Sequence, residues 1–196
     1  MLINISAFSQ FQEVSIRFGV SESSPGQASI YLPGISAGLE AVYAVSNSFS
    51  VRSGLGYDYK YTKSVYQNME NKTGFNILSL PVYMNYNASR FNFYAGPSLR
   101  YLSRQVIYSK GDYYYDHIDP VSGSISTEHV FIDDEKVVKN LEKRFNIGIG
   151  VGMNVNFSLN ENFGLLLDLR GDLDLLKERY RFISGVISGG VVYKIR

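Results

Sequence analysis

The sequence predicts an all-β protein, an eight-stranded antiparallel up-and-down transmembrane β-barrel, on three observations. From Phe145 to Phe157 every second residue is apolar (Phe145, Ile147, Ile149, Val151, Met153, Val155, Phe157), a two-residue period that gives a strand one greasy face. The residues between them are Asn146, Gly148, Gly150, Gly152, Asn154 and Asn156, small groups suited to a crowded, hydrated interior rather than the Lys, Glu and Thr of a water-facing strand. Eight such segments follow one another, and their connections alternate long and short, as in barrels with extended loops on one rim and clipped turns on the other. At ~3.3 Å per residue and a tilt near ~40°, a strand of this length covers roughly 33 Å, enough to cross a ~25 Å hydrocarbon band.

The first strand runs from Glu13 to Ser21, with Val14, Ile16, Phe18 and Val20 outward and Ser15, Arg17 and Gly19 inward. Residues 22–33, rich in Ser, Pro and Gly, read as a loop. The second strand, about Gly34 to Val45, turns outward Ile35, Ala37, Leu39, Ala41 and Tyr43, and Ser46-Asn47-Ser48 is a tight turn. The third, Phe49 to Tyr61, carries Phe49, Val51, Leu55, Tyr57, Tyr59 and Tyr61 on one side. A polar loop is expected from about Lys63 to Thr73.

The fourth strand places Leu78, Leu80, Val82, Met84 and Tyr86 outward and Ser79, Pro81, Tyr83 and Asn85 inward, before the turn Asn87-Ala88-Ser89-Arg90. The fifth turns out Phe91, Phe93, Ala95, Pro97, Leu99 and Tyr101. Proline cannot donate to a ladder, so a bulge or weakened pairing is expected at Pro81 and Pro97. A long segment, residues 105–141, precedes the sixth strand. Asn160-Glu161-Asn162 turns into the seventh (Phe163, Leu165, Leu167, Leu169), residues 172–179 form a loop or single helical turn, and Ile183 to Ile195 closes the set. Both ends of the barrel then fall on the short-turn side, which places the termini in the periplasm and the long loops outside the cell.

The chain of 196 residues is one domain, 13–196, preceded by a segment 1–12. Within that segment Leu2 to Gln10, with small Ala7 and Ser9, resembles the tail of a secretory signal, the other reading being a short periplasmic stretch. Charge is nearly balanced, 19 Lys plus Arg against 18 Asp plus Glu, so phosphate-driven nucleic-acid binding is excluded as a partner class. Absent cysteine removes disulfides, thiolate metal sites and cysteine nucleophiles together. Sixteen Tyr and twelve Phe suit the headgroup boundary, where a ring with one polar edge is at home. No run of about 18 apolar residues exists for a membrane helix, and the partner expected is the lipid bilayer itself.

At Leu78-Ser79-Leu80-Pro81-Val82, Tyr94-Ala95-Gly96-Pro97-Ser98-Leu99, the Gly-rich sixth strand and the closing Gly190-Val191-Val192-Tyr193-Lys194-Ile195, the chain resembles the PorT-like outer-membrane β-barrel family from Glu13 onward. The resemblance implies an eight-stranded barrel in a Gram-negative outer membrane. Some relatives serve protein secretion or envelope assembly, which implies a possible envelope protein partner. In one departure, Tyr193 is followed by Lys194, Ile195 and Arg196 where such barrels usually end on an aromatic residue.

Inward positions hold Arg17, Glu40 and Arg52 on consecutive strands, with Asp168 and Arg170 at similar height on the seventh. An eight-stranded barrel is only wide enough for side chains to fill, so these groups are expected to meet and pair as a plug; a narrow gated pore or proton path is the alternative. Ser184, Ser188 and Gly190 leave room for the arginine stems. An upper interior tier is read at Asp58, Lys60, Arg100 and Arg104.

Residues 105–141 hold seven acidic groups against three lysines, a net of about −4, leaving the remainder near +5. Alternation at Tyr113 to His117 and Glu128 to Ile132 around Pro120-Val121-Ser122-Gly123 suggests that strands five and six continue beyond the bilayer as a hairpin. Its Tyr113, Tyr114, Tyr115, His117, His129 and Phe131 are the candidate partner-binding residues.

An enzyme would use His117 or His129 beside Asp116, Asp119 or Asp133 as an oriented general base, yet no G-x-S-x-G or H-E-x-x-H supports it. Asp133-Asp134-Glu135 lacks the spaced ligands and glycine of a calcium loop, and Gly148-x-Gly150-x-Gly152 stays within one strand, so no metal and no cofactor is expected. The glycines make space for bulky inward neighbours. The favoured reading is a binding or scaffolding component of the cell envelope. A rim-site barrel enzyme and a soluble lipocalin-like carrier stay open beside it.

Overall fold

The computed structural model describes residues 11–24, 30–66, 68–118, 125–138, 144–175 and 183–195. The leader-like Met1 to Gln10, the hairpin tip at 119–124 and the last loop from residue 176 lie outside the described residues. Nine strands follow in order: β1 (Phe11–Ser24), β2 (Ile30–Ala44), β3 (Phe49–Tyr66), β4 (Asn68–Ala88), β5 (Phe91–Ile118), β6 (Ile125–Val137), β7 (Phe145–Ser158), β8 (Phe163–Asp174) and β9 (Ile183–Lys194). β1 already begins at Phe11, so the boundary expected at residues 12 and 13 lies inside the strand.

Eight of these strands close an antiparallel ring, β1-β2-β3-β4-β5-β7-β8-β9, which β1 and β9 seal from Glu13↔Lys194 to Ser24↔Ile183. β6 stands outside the ring. β5 is 28 residues long; its first part, Phe91 to Tyr101, pairs with β7, and its second, Val106 to Ile118, pairs with β6 on the same side. Strands five and six of the barrel are therefore joined through a projecting ribbon.

The polar loop expected at Lys63 to Thr73 is instead an unbroken ladder, from Thr62↔Thr73 to Tyr66↔Met69. Polar residues occupy both faces there because both faces meet water, so no two-residue hydropathy period marks the strands. Lys63 and Lys72 hold the ladder by flanking Glu70 at 2.6 and 2.8 Å. Their hydrogen bonds keep its carboxyl at about 2, well below the ordinary carboxylate range. The loop expected from residue 172 starts later, since β8 continues to Asp174.

Sidedness follows from the alternation. On β8 Leu165, Leu167 and Leu169 are exposed on the outside while Leu166, Asp168 and Arg170 are buried. On β7 Ile147, Ile149, Val151 and Met153 are exposed likewise. A soluble carrier would carry the reverse arrangement, with its apolar set around a dry cavity. Aromatic rings band both ends: Phe11 against Tyr43, Phe49 against Tyr86 and Phe163 against Tyr193 at the short-turn end, Tyr59 against Tyr61 and Tyr101 against Phe145 at the other. Along β3, the stretch from Phe49 to Tyr59 rises ~25 Å at ~3.3 Å per residue and ~40° tilt, the height of an outer-membrane hydrocarbon band.

The short turns are built by their own polar side chains. Ser46 Oγ accepts from the Phe49 amide at 3.1 Å, and Asn160 Oδ1 accepts from the Phe163 amide at 2.8 Å. Ser89 takes φ 60° in the two-residue connection between Ala88 and Phe91, because hairpin turns of that length need positive φ to follow the strand twist. Gly111, with φ 141°, sits where β5 passes the end of β4, and a Cβ there would lie 2.0 Å from the Asn68 carbonyl oxygen. Pairing is interrupted at both prolines without a change of register. The β3–β4 ladder skips from Ser53↔Val82 to Gly56↔Ser79, and the β4–β5 ladder from Pro81↔Ser98 to Met84↔Ala95.

Candidate functional site

Two features are built from this fold: a charged lumen and the external ribbon. In the lower lumen the inward phases of β1, β2, β3 and β8 bring Arg17, Glu40, Arg52 and Asp168 together, all buried. Arg17 spans the two carboxylates, Nη2 to Glu40 Oε1 at 2.5 Å and Nη1 to Asp168 Oδ2 at 3.0 Å. Arg52 Nη1 lies 3.6 Å from Glu40 and 3.8 Å from Asp168, and its guanidinium covers the Tyr94 ring at 4.8 Å. Tyr94 Oη donates to Asp168 Oδ1 at 2.8 Å and Ser188 Oγ to Oδ2 at 3.4 Å. With its oxygen turned toward Arg52, the Asn154 amide accepts from both guanidinium nitrogens. Two cations thus meet two carboxylates, and the neutral sum is what lets such a cluster be buried.

Arg170 does not join this cluster. One inward step higher on β8, it forms an ion pair with Asp172, Nε to Oδ2 at 2.9 Å, and approaches Asp58 at 3.7 Å. Arg100 reaches Asp172 at 3.0 Å and Asp174 at 2.5 Å, while Lys60 Nζ donates to Ser184 Oγ at 2.5 Å. This tier again balances, Lys60, Arg100 and Arg170 against Asp58, Asp172 and Asp174. Asp172 and Asp174 fall in the loop expected from the sequence at 172–179, yet both continue the inward phase of Asp168 on β8.

Arg104 is exposed rather than interior. A bulge at Ser103 sets Ile77 opposite Leu102 but Asn76 opposite Arg104, which turns Arg104 outward and Gln105 inward. On the inner face beside it Phe75 and Ile77, 2% and 6% exposed, pack with Leu102 as an apolar cluster. Below, the space at the β7 glycines is taken by inward side chains of the neighbouring strands β5 and β4: a Cβ on Gly148 would lie 3.0 Å from the Arg100 guanidinium, on Gly150 2.6 Å from Tyr83 Oη, and on Gly152 2.5 Å from Tyr94 Oη. Space remains at the short-turn mouth, a polar vestibule of about 600 Å³ whose walls include Glu13, Arg52, Asn85 and Lys194.

On the ribbon Tyr113, Tyr114, His129 and Phe131 are exposed. His129 Nε2 lies 2.6 Å from Asp112 Oδ1, and its ring is 4.9 Å from that of Tyr114. The side chains of Tyr115 and His117 lie outside the described residues. Register sets His117 opposite Ser126 and His129 opposite Tyr114, so the histidines do not face each other across the ladder. Among the described residues no group of three or more His, Cys, Asp or Glu is arranged to hold a metal ion.

A family model described as outer membrane protein beta-barrel domain matches residues 4–177, a broader description than the PorT-like family the motifs resemble. Similar solved structures are Ail of Yersinia pestis, in complex with the heparin analogue sucrose octasulfate (11% identity, 95% of this chain and 99% of that chain, TM-score 0.49), and Neisserial surface protein A (16%, 94% and 97%, TM-score 0.46). The N-terminal β-barrel domain of Pseudomonas aeruginosa OprF is another (15%, 95% and 100%, TM-score 0.41). No curated protein matches the chain.

Proposed function

We propose, because this chain belongs to the outer membrane protein beta-barrel domain family, that its barrel is a plugged anchor in the bacterial outer membrane and its ribbon the working surface. The lipid bilayer is one partner, met by the outward apolar face. Facing the ribbon and the long β3–β4 ladder outward from the cell, with the short turns and both termini periplasmic, makes the second partner an envelope or extracellular protein. The reading includes a place in a secretion or assembly complex of the envelope.

The observation that carries it is the contrast between the two features. The lumen is occupied by two neutral, interlocked ion clusters, whereas an ion-selective pore is lined by charge of one sign. The ribbon spends 13 residues of β6 and the second half of β5 on a sheet that closes nothing. Chain length beyond what the bilayer needs is the usual mark of a functional segment.

Deleting residues 110–135 and rejoining the strands with a two-residue turn is the test. The shortened barrel is expected to insert and keep its heat-modifiable migration in gels, while pull-down from detergent-solubilised membranes loses the partner. Unchanged partners and phenotype after the deletion would overturn the ribbon's role. The plug has its own test: the intact chain in planar bilayers is expected to pass no steady current, and a stable conductance would refute it.

A further inference from the structure

We propose that the ribbon's partner docks by adding a basic, extended strand to the open edge of β6, an inference that rests on the ribbon being the binding surface. The sheet order ends at β6. Among the described residues β6 pairs with β5 alone, from Ile118↔Ile125 to Val106↔Val137 without a register shift. Among the described residues no strand pairs with its far side, an edge ~43 Å long at ~3.3 Å per residue.

Proteins usually blunt such an edge with proline, a bulge, a covering segment or several lysines. β6 has no proline, no bulge and one lysine, Lys136. It also exposes Ile125 (68%), Val130 (42%) and Phe131 (58%), apolar side chains on both faces of the strand that an incoming strand would cover. Main-chain bonding of this kind supplies affinity, and the alternating side chains supply specificity.

Charge identifies the occupant. β6 carries Glu128, Asp133, Asp134 and Glu135 against Lys136, and with Asp133 paired to Lys110 of β5 at 3.3 Å the strand stays net acidic. A second copy of the chain pairing antiparallel about Phe131 would set Glu128 opposite Asp134 twice, and a parallel copy would stack the acidic run upon itself. Like charges directly opposite are destabilising in a ladder. An extended segment with Lys or Arg at alternate positions and apolar residues between them complements the edge instead.

The full chain in lipid nanodiscs is offered an alternating lysine–valine peptide, a glutamate–valine peptide, and the lysine peptide N-methylated at alternate amides, with amide hydrogen exchange followed along β6. The lysine peptide is expected to slow exchange at every second β6 amide by tenfold or more, and the other two to leave it unchanged. Asp134→Lys with Glu135→Lys, both exposed positions, should reverse the preference between lysine and glutamate peptides.

Binding without the period-two protection, equal protection by the glutamate peptide, or no protection at about 1 mM lysine peptide overturns the edge mode. If the native partner is still lost when residues 110–135 are deleted, the ribbon reading survives that failure; if the partner stays, that reading falls as well.

Discussion

Replacing Asp168 with asparagine is expected to destabilise the barrel by about 3–5 kcal/mol, the range for removing one member of a buried ion cluster. Its side chain is fully buried and takes bonds from Arg17, Tyr94 and Ser188, with Arg52 at 3.8 Å. Without its charge, Arg17 and Arg52 share Glu40 alone, and the lower lumen carries one uncompensated cation. The cost arises mainly from that orphaned charge, since the asparagine oxygen can still accept a neutral hydrogen bond, which contributes ~1 kcal/mol.

Adding Arg17→Gln to Asp168→Asn restores neutrality, so the double variant should be more stable than the single one. Urea unfolding in lipid vesicles measures both. Tyrosine fluorescence is the signal, because the chain has no tryptophan. A loss below ~1 kcal/mol for Asp168→Asn would mean that water already solvates the cluster.

Val151→Arg is expected to cost ~2–4 kcal/mol, the depth-dependent penalty of a cation facing lipid near the bilayer midplane. Val151 lies midway along β7 between Phe145 and Phe157, and more than half of its surface is bare in the isolated chain. At a water-exposed position the same change falls within ±0.5 kcal/mol. Val130→Arg on the ribbon provides that comparison in the same protein. Equal and negligible effects at both positions would mean that the outer face meets water.

The strands of the barrel wall were legible because each meets two different solvents, lipid and a packed lumen, and so writes a two-residue period into Leu165 to Leu169 or Ile147 to Met153. The same logic exposed Gly148, Gly150 and Gly152 as spaces for larger neighbours. Where both faces meet one solvent, as at Lys63 to Thr73, the period vanishes and a ladder resembles a loop. Arg104 was misplaced for another reason: a single extra residue at Ser103 inverts every side chain after it, and nothing in Leu102-Ser103-Arg104 announces it. Arg170 is expected beside Asp168 only because the sequence gives no sign that its partner, Asp172, lies on the same strand. The inward pair Phe75 and Ile77 is hidden the same way, since the outward alternation of the fourth strand becomes visible only from Leu78.

The interrupted pairing around Pro81 and Pro97 has a mechanical consequence. A barrel resists opening through hoop continuity, and here two adjoining joints lack links at nearly one height, so β4 is slackest at mid-wall. What grips it there is mainly radial, with Tyr83 projecting inward, 1% exposed, toward Gly150, and one side-chain link along the wall, from Ser53 Oγ on β3 to the Pro81 carbonyl at 2.9 Å. The wall at this seam is pegged from the centre more than stitched along its circumference, and a sideways parting toward lipid would begin there.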